Sequence, residues 1–323
     1  MRLLITGANG QLGYDLVEEL LRRKQEVIAS DLSADHPFHA VPETFTYIPL
    51  DITDKVAVEA LFERYASQPF DVVLHCAAWT AVDLAEAPEN LEKVQAVNGA
   101  GTRYIAEACQ KYDCKLLYLS TDYIFDGKGE LPWLPEEADY RPLNVYGRTK
   151  LEGEHAVTNL LEHYFIIRIA WVFGPHGNNF VKTMLRLGEN HERLTVVNDQ
   201  IGTPTYTPDL ARLLADMIET DRYGIYHATN EGGYLSWYDF AVEIFRQAAA
   251  LGHSEYDADH LTVLPVSTAD YNASLAAGKP YAIRPFNSRL EKSKLTESGF
   301  APLPDWKDAL RRYLQEYWRA IQE

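Results

Sequence analysis

The sequence predicts an α/β fold organised around a doubly wound parallel sheet, and two observations carry the prediction. Up to about Val172, short unbroken apolar runs alternate with longer amphipathic stretches. Strands that are apolar at every position belong to a parallel sheet covered by helices on both faces. The right-handed crossover rule then leaves the doubly wound order as the economical topology.

The elements follow in order. Arg2–Thr6 reads as a buried strand, and Gln11–Lys24 as a helix with Leu12, Leu16, Leu20 and Leu21 at helical spacing. Glu26–Ser30 is the next strand, and the apolar run Tyr47–Leu50 is an edge strand. Lys55–Tyr65 reads as a helix, Asp71–Cys76 as a strand, Leu91–Tyr112 as one long helix, and Lys115–Ser120 as a strand. Leu143–Leu161 reads as a helix and Tyr164–Val172 as a further strand. Beyond Trp171 the rhythm loosens at Gly174, Pro175, Gly177, Gly202, Pro204 and Pro208. The tail Lys294–Glu323 stops and restarts at Gly299–Pro304 before a final amphipathic helix. The chain thus divides into a sheet domain, 1–172 with part of 200–230, and a smaller, discontinuous C-terminal lobe, 173–199 and 231–323, expected to bind substrate.

Composition excludes several classes of function. The chain has 323 residues, 46% of them hydrophobic, enough for a sizeable core. Its 30 Lys and Arg against 47 Asp and Glu give a net charge of −17, the wrong sign for a general binder of nucleic acid or of an anionic membrane. Cys76, Cys109 and Cys114 are an odd set without C-x-x-C spacing, which rules out a disulfide scaffold or zinc ribbon and points to a reducing compartment. No apolar run reaches the roughly 18 residues a membrane span needs. The opening Met1–Thr6 runs straight into glycines, so no secretory leader is expected and the cytoplasm is the expected location.

Chemistry enters with Gly7-Ala8-Asn9-Gly10-Gln11-Leu12-Gly13, between the first strand and the first helix. Gly7 permits a tight turn, Gly10 lets a pyrophosphate approach the backbone, and Gly13 lets helix and strand pack closely. The helix N-terminus faces the anion. The fold is therefore Rossmann-like and the expected cofactor a dinucleotide. Asp31, ending the second strand, suits a ribose 2′-hydroxyl and leans toward NADH, while Ser30 beside it tolerates the 2′-phosphate of NADPH. Asp51, with Ile52, either reaches the adenosine or closes the following turn.

Tyr146 and Lys150 stand at i and i+4, on one face of a helix. An ammonium beside a phenol favours the phenolate and lowers its pKa, giving a tunable acid for protonating a carbonyl oxygen. Thr121 ends a predicted parallel strand, at the edge where such sheets bind ligands, and either bonds a substrate oxygen or caps the next turn.

With these residues in view the chain is identified as a member of the extended short-chain dehydrogenase/reductases. The carriers are the glycine loop, Leu50-Asp51-Ile52, His75-Cys76-Ala77-Ala78, Ser120-Thr121-Asp122-Tyr123 and the Tyr146/Lys150 pair. Within that superfamily it resembles the dTDP-4-dehydrorhamnose reductase family. That likeness rests on Ala78-Trp79-Thr80-Ala81-Val82-Asp83, Arg168-Ile169-Ala170-Trp171-Val172-Phe173-Gly174, Asn178-Asn179-Phe180-Val181-Lys182, Asp199-Gln200-Ile201-Gly202-Thr203-Pro204-Thr205 and Arg284-Pro285-Phe286-Asn287-Ser288-Arg289-Leu290.

The resemblance implies Tyr146 as proton donor, Lys150 as its partner and Thr121 as the third member of a triad. It places Gly10, Gln11, Leu12, Asp31, Asp51, Ile52, Ala78, Trp79 and Thr80 along NADPH or NADH, with Lys150 able to hold the nicotinamide ribose. Thr121, Asp122 and Trp171 would touch a dTDP-linked keto-deoxysugar, with Trp171 a flat apolar wall or else a core residue. Asn178, Lys182, Arg284 and Arg289 are candidates for its diphosphate, although either arginine could instead make a structural ion pair. The implied reaction is reduction of a sugar C4 ketone. The alternatives are a reductase or epimerase for another nucleotide-linked 4-keto-6-deoxysugar, which nothing in the sequence forbids, and a dehydratase, which lacks its acid/base partner because Asp122 is followed by Tyr123 and not by glutamate. A non-catalytic role, as in the similar regulatory subunit of methionine adenosyltransferase, is a third reading. Some relatives bridge a dimer with magnesium; Glu189, Glu192 and Asp199 offer carboxylates, yet no metal site is assigned, and His75 and His176 lack ligand spacing. Monomer and homodimer both stay open.

Overall fold

A computed structural model describes residues 1–275 and 279–322. Residues 276–278 and Glu323, which fall in the predicted smaller lobe, lie outside the described residues. The first half is β1 (Arg2–Thr6), α1 (Gln11–Arg22), β2 (Glu26–Ser30), β3 (Phe45–Tyr47), α2 (Lys55–Arg64), β4 (Val72–His75), α3 (Leu91–Gln95), α4 (Thr102–Tyr112), β5 (Lys115–Thr121), α5 (Val145–Leu160) and β6 (Tyr164–Ile169). Then come α6 (Phe180–Asn190), α7 (Thr207–Met217), the strand Gly224–His227, α8 (Trp237–Ala250) and the last helix, Trp306–Gln322.

The seven-stranded sheet runs Gly224–His227, β6, β5, β4, β1, β2, β3, with every pairing parallel. Leu4 pairs with Ile28 on one side and Val73 on the other. Strand side chains alternate between faces, so Leu3 and Ile5 pack under α1 and α7 with Leu16, Leu117, Leu210 and Leu214. Leu4 enters the opposite core with Ile28, Val73, Leu116, Tyr118 and Ile166. Both faces of β1 are thereby buried, which explains its unbroken apolar run. The Rossmann-like doubly wound α/β fold is present as the sequence implied. The strand order reverses between β1 and β4, which opens a crevice at the carboxyl ends of both strands.

A second core gathers Phe173, Leu185, Tyr206, Phe240, Ile244, Tyr313 and Leu314 from the later segments. Among them, α7 returns to pack on α1 and the strand Gly224–His227 closes the sheet edge.

Three predicted elements differ from the structure. The helix expected over Leu91–Tyr112 is interrupted by a wider π turn over Ala96–Gly101. Gly99 and Gly101 lie in it and let neighbours come close: a Cβ would lie 2.7 Å from Glu152 Oε2 and 2.9 Å from Ile52 Cδ1 respectively. The strand expected to reach Val172 ends at Ile169, since Trp171 takes a left-handed backbone with φ of 51° and Val172–Phe173 pairs instead with Thr205–Tyr206. The edge strand predicted over Tyr47–Leu50 is Phe45–Tyr47.

Candidate active site

The crevice is a cavity of about 860 Å³, and most of the residues singled out from sequence line it. Its floor is the glycine loop. Gly7 has φ of 72°, and a Cβ there would sit 2.5 Å from Ala77 N; a Cβ on Gly13 would sit 2.0 Å from Gly7 O. Only hydrogen fits at either place. Helix α1 starts from Gly10 with no side-chain cap, so its first-turn amides remain for an anion. The loop therefore fits a dinucleotide diphosphate on its own geometry.

At the β2 end of the cavity, Asp31 accepts from Asn9 N at 3.0 Å and Leu32 N at 2.8 Å, which fixes its carboxylate. Ser30 beneath it has a buried hydroxyl without a partner. Asp51 lines the cavity and also closes the next turn, accepting from Thr53 N at 2.9 Å and Thr53 Oγ1 at 2.7 Å. Leu12, Ile52, Ala78, Trp79 and Thr80 complete this stretch.

Asn144 caps α5 by accepting from Gly147 N at 2.8 Å, and this cap sets the helical phase that turns Tyr146 and Lys150 into the cavity. Thr121 stands opposite at the end of β5. Its hydroxyl donates to Asp122 Oδ1 at 3.1 Å and accepts from Tyr123 N at 3.2 Å, so it caps the turn and faces the site. Asp122 is only 2% exposed, and its Oδ2 is buried without a partner. Burial pushes this carboxyl up to about 6, against the opposing pull of the Ser288 and Thr121 hydroxyls.

The electrostatics correct the argument from sequence. The Tyr146 phenol is raised above its ordinary value, by burial first and Asp122 second, with the Thr121 hydroxyl opposing. The Lys150 ammonium lies 4.1 Å from the centroid of the Tyr118 ring, and burial pushes its own pKa down to about 7. A raised phenol suits an acid that must arrive protonated.

From the segments after β6, Asn178 and Trp171 reach the cavity. Trp171 stacks on Trp237 with ring centroids 3.7 Å apart and an interplanar angle of 14°, and its indole lies where a Cβ on Gly202 would clash. Three predicted phosphate ligands are turned elsewhere. Lys182 Nζ donates to Pro175 O and to Gly177 O, at 2.5 and 2.8 Å. Arg284 makes a two-pronged pair with Asp83, and Arg289 donates to Asn287 Oδ1 at 3.0 Å. Each cation meets a carbonyl or carboxylate acceptor of the protein, and none of the three lines the cavity. Of the alternatives left open for Arg284, the structure therefore has the structural ion pair.

Asn98 was missed from sequence. From the π turn it accepts from Trp79 N at 2.8 Å and donates to Thr149 Oγ1 at 3.0 Å, tying the Trp79 loop to α5. The available signal was an asparagine at helical spacing between Val94 and Ile105. Trp237 was missed because its neighbour Trp171 is distant in sequence. No group of three or more metal-ligating side chains occurs among the described residues. Asp199 is engaged by Thr268, and Glu189 by the Tyr256 hydroxyl.

Comparison with known proteins agrees with this geometry. The chain is 39% identical over 318 residues to the dTDP-4-dehydrorhamnose reductase of Aggregatibacter actinomycetemcomitans, covering 96% of this chain and 97% of that one. It is 38% identical over 310 residues to the dTDP-4-keto-6-deoxy-D-glucose reductase of Streptomyces niveus, covering 96% and 95%. The crystal structure of the Bacillus anthracis dTDP-4-dehydrorhamnose reductase in complex with NADP superposes with a TM-score of 0.79 at 37% identity, covering 98% and 99%. A family model described as the RmlD substrate binding domain matches residues 1–319. On that match, from the first strand into the last helix, this chain belongs to the RmlD substrate binding domain family.

Proposed function

We infer that this protein is an NAD(P)H-dependent reductase that converts the C4 ketone of dTDP-4-dehydro-L-rhamnose to the alcohol of dTDP-L-rhamnose. The observation that carries the reading is the convergence of Thr121, Tyr146 and Lys150 on one cavity floored by an uncapped helix N-terminus. A reduced nicotinamide supplies the hydride when bound. The residues of the chain do the rest. Tyr146, whose phenol burial holds still further above its ordinary value, gives its proton to the C4 oxygen. Thr121 holds that oxygen within reach of the phenol, and Lys150 holds the ribose hydroxyls of the dinucleotide. The stacked indoles of Trp171 and Trp237 give the deoxysugar an apolar wall that excludes water. Asp122 faces the sugar, and the tyrosine after it leaves no second carboxylate for elimination.

The domain assignment belongs to the same proposal, with the sheet domain binding the dinucleotide and the later segments the sugar nucleotide. No described helix is long and apolar enough to cross a membrane. With all three thiols free, we assign the enzyme to the cytoplasm.

A second reading, reduction of another dTDP-linked 4-keto-6-deoxysugar, is favoured by one observation: the Streptomyces niveus relative is nearly as similar and its name specifies a different sugar. The test is consumption of reduced nicotinamide, followed by its near-ultraviolet absorbance, with dTDP-4-dehydro-L-rhamnose and with dTDP-4-keto-6-deoxy-D-glucose, each with NADPH and NADH. Fast oxidation with the first sugar supports the first reading. Fast oxidation with the second alone transfers it, and none with either, from protein that binds dinucleotide, points to the non-catalytic role.

A further inference from the structure

Asn179 was not among the candidate residues, and it does not line the cavity. It caps α6 through its side-chain oxygen, which accepts from Lys182 N at 3.0 Å. Its Nδ2 group does something a cap does not need. It donates to Gly174 O at 2.8 Å and to Gln11 Oε1 at 3.0 Å, across 168 residues of sequence. Gln11 is the first residue of α1 and stands in the cavity wall between Gly10 and Leu12.

The orientation of both carboxamides follows from what each partner can do. A backbone N–H can only donate, so the Asn179 atom facing Lys182 N is its oxygen. A backbone carbonyl can only accept, so the atom facing Gly174 is its NH2 group. Two independent backbone contacts thus fix Asn179, and its NH2 group is the one that meets Gln11. The Gln11 atom it meets must be the oxygen, so the Gln11 Nε2 donors are turned away from Asn179. They have no protein partner among the described residues. Phosphate oxygens only accept, so an amide presenting NH2 attracts a diphosphate and one presenting oxygen repels it.

Building on the reading that the cavity takes a dinucleotide, we propose that Asn179 is a positioning residue that locks the Gln11 carboxamide with its NH2 group toward the dinucleotide diphosphate. The second lobe thereby takes part in cofactor binding through a residue that does not itself touch the cofactor.

The test is a double-mutant cycle read by calorimetric binding of NADPH and NADH. Asn179→Ser keeps a competent cap and loses both donors. It weakens dinucleotide binding about fivefold, the scale of one oriented hydrogen bond. In the Gln11→Ala background the same substitution has no further effect, and binding of dTDP to dinucleotide-free protein is unchanged in every variant. Asn179→Asp, which also keeps the cap but presents only acceptors, weakens the dinucleotide more than serine does, and more so with Gln11 present than absent. Asn179→Ser binding dinucleotide like the wild type overturns the proposal. So does an equal loss with and without Gln11, which would mark Asn179 as a cap alone. Wild-type protein that takes up dTDP but no dinucleotide overturns the functional reading and this proposal together.

Discussion

Arg284 and Asp83 lie 201 residues apart in sequence and meet in a two-pronged ion pair, with the second prong at 2.7 Å. Asp83 also accepts from Ala282 N at 2.9 Å, so one carboxylate fastens the Tyr281–Arg284 segment to the loop after β4. The guanidinium beside it holds the Asp83 carboxyl below its ordinary value, although burial pushes the other way. Arg284→Ala is accordingly expected to cost about 1 kcal/mol of stability, since both partners are partly exposed. Its effect on dTDP affinity stays under about tenfold, as for lost positioning rather than a lost phosphate ligand. Urea denaturation and calorimetry measure the two; a loss of affinity far beyond tenfold with stability intact would return Arg284 to the diphosphate.

Tyr146→Phe removes one hydroxyl from the wall of the cavity and leaves the glycine loop intact. Turnover falls about 10²- to 10⁴-fold, the range of a general acid, while NADPH and NADH bind as in the wild type. Steady-state rates beside calorimetric affinities separate the two. A variant with near-normal turnover would mean another group protonates the sugar.

Gly13→Ala places a methyl group against the Gly7 carbonyl, where a Cβ would be 2.0 Å away. The contact is backbone, so no side chain can swing clear. The expected cost is about 3 kcal/mol together with loss of dinucleotide binding. Thermal denaturation and binding report on the two effects, and a variant that melts and binds normally would show that the loop can open without penalty.

Asp15 on α1 is 9% exposed and has one carboxylate oxygen without a partner. Burial pushes its pKa up to about 7; the Thr207 hydroxyl opposes this, and Glu316 and Glu18 add to it. His176, 3.9 Å away, is itself pushed down to about 4 by burial and by Lys182, and so brings no charge at neutral pH. A carboxyl raised in the folded protein keeps its proton to higher pH than in the unfolded chain. Its contribution is complete below the unfolded value of 3.8 and is lost as pH rises through about 7. Asp15→Asn should therefore be the more stable protein at about pH 8, with the advantage shrinking toward about pH 4. Urea midpoints across that range decide it, and a constant difference would show that the carboxyl does not titrate there.

The sheet was legible because its strands are buried on both sides and announce themselves without a partner: Leu3, Leu4 and Ile5 are apolar in a row since each meets a core. Tyr146, Lys150 and Thr121 could be placed because helical spacing and a strand end are local facts. The fates of Lys182, Arg284 and Arg289 were not local. A long cation goes to the nearest acceptor, and for Arg284 that acceptor stands on a loop of the other half of the chain. The early end of β6 was hidden for a similar reason. Nothing about a tryptophan predicts a left-handed backbone, and the stack on Trp237 and the close fit over Gly202 that accompany it are contacts with remote residues.

The return of α7 to cover α1, with the strand Gly224–His227 closing the sheet edge, sets an order of events during synthesis. Every residue of the glycine loop and of the Tyr146–Lys150 pair has left the ribosome while Leu210, Leu214 and Met217, which seal the core beneath Leu12 and Leu16, are still to come. Until then one face of a parallel sheet is bare, and parallel pairing across long sequence separations is slow to form. In a chain cut short after β6, Leu3, Ile5, Leu12 and Leu16 would lack the α7 side chains that complete their core, while Tyr146 and Lys150 on α5 belong to the opposite side of the sheet.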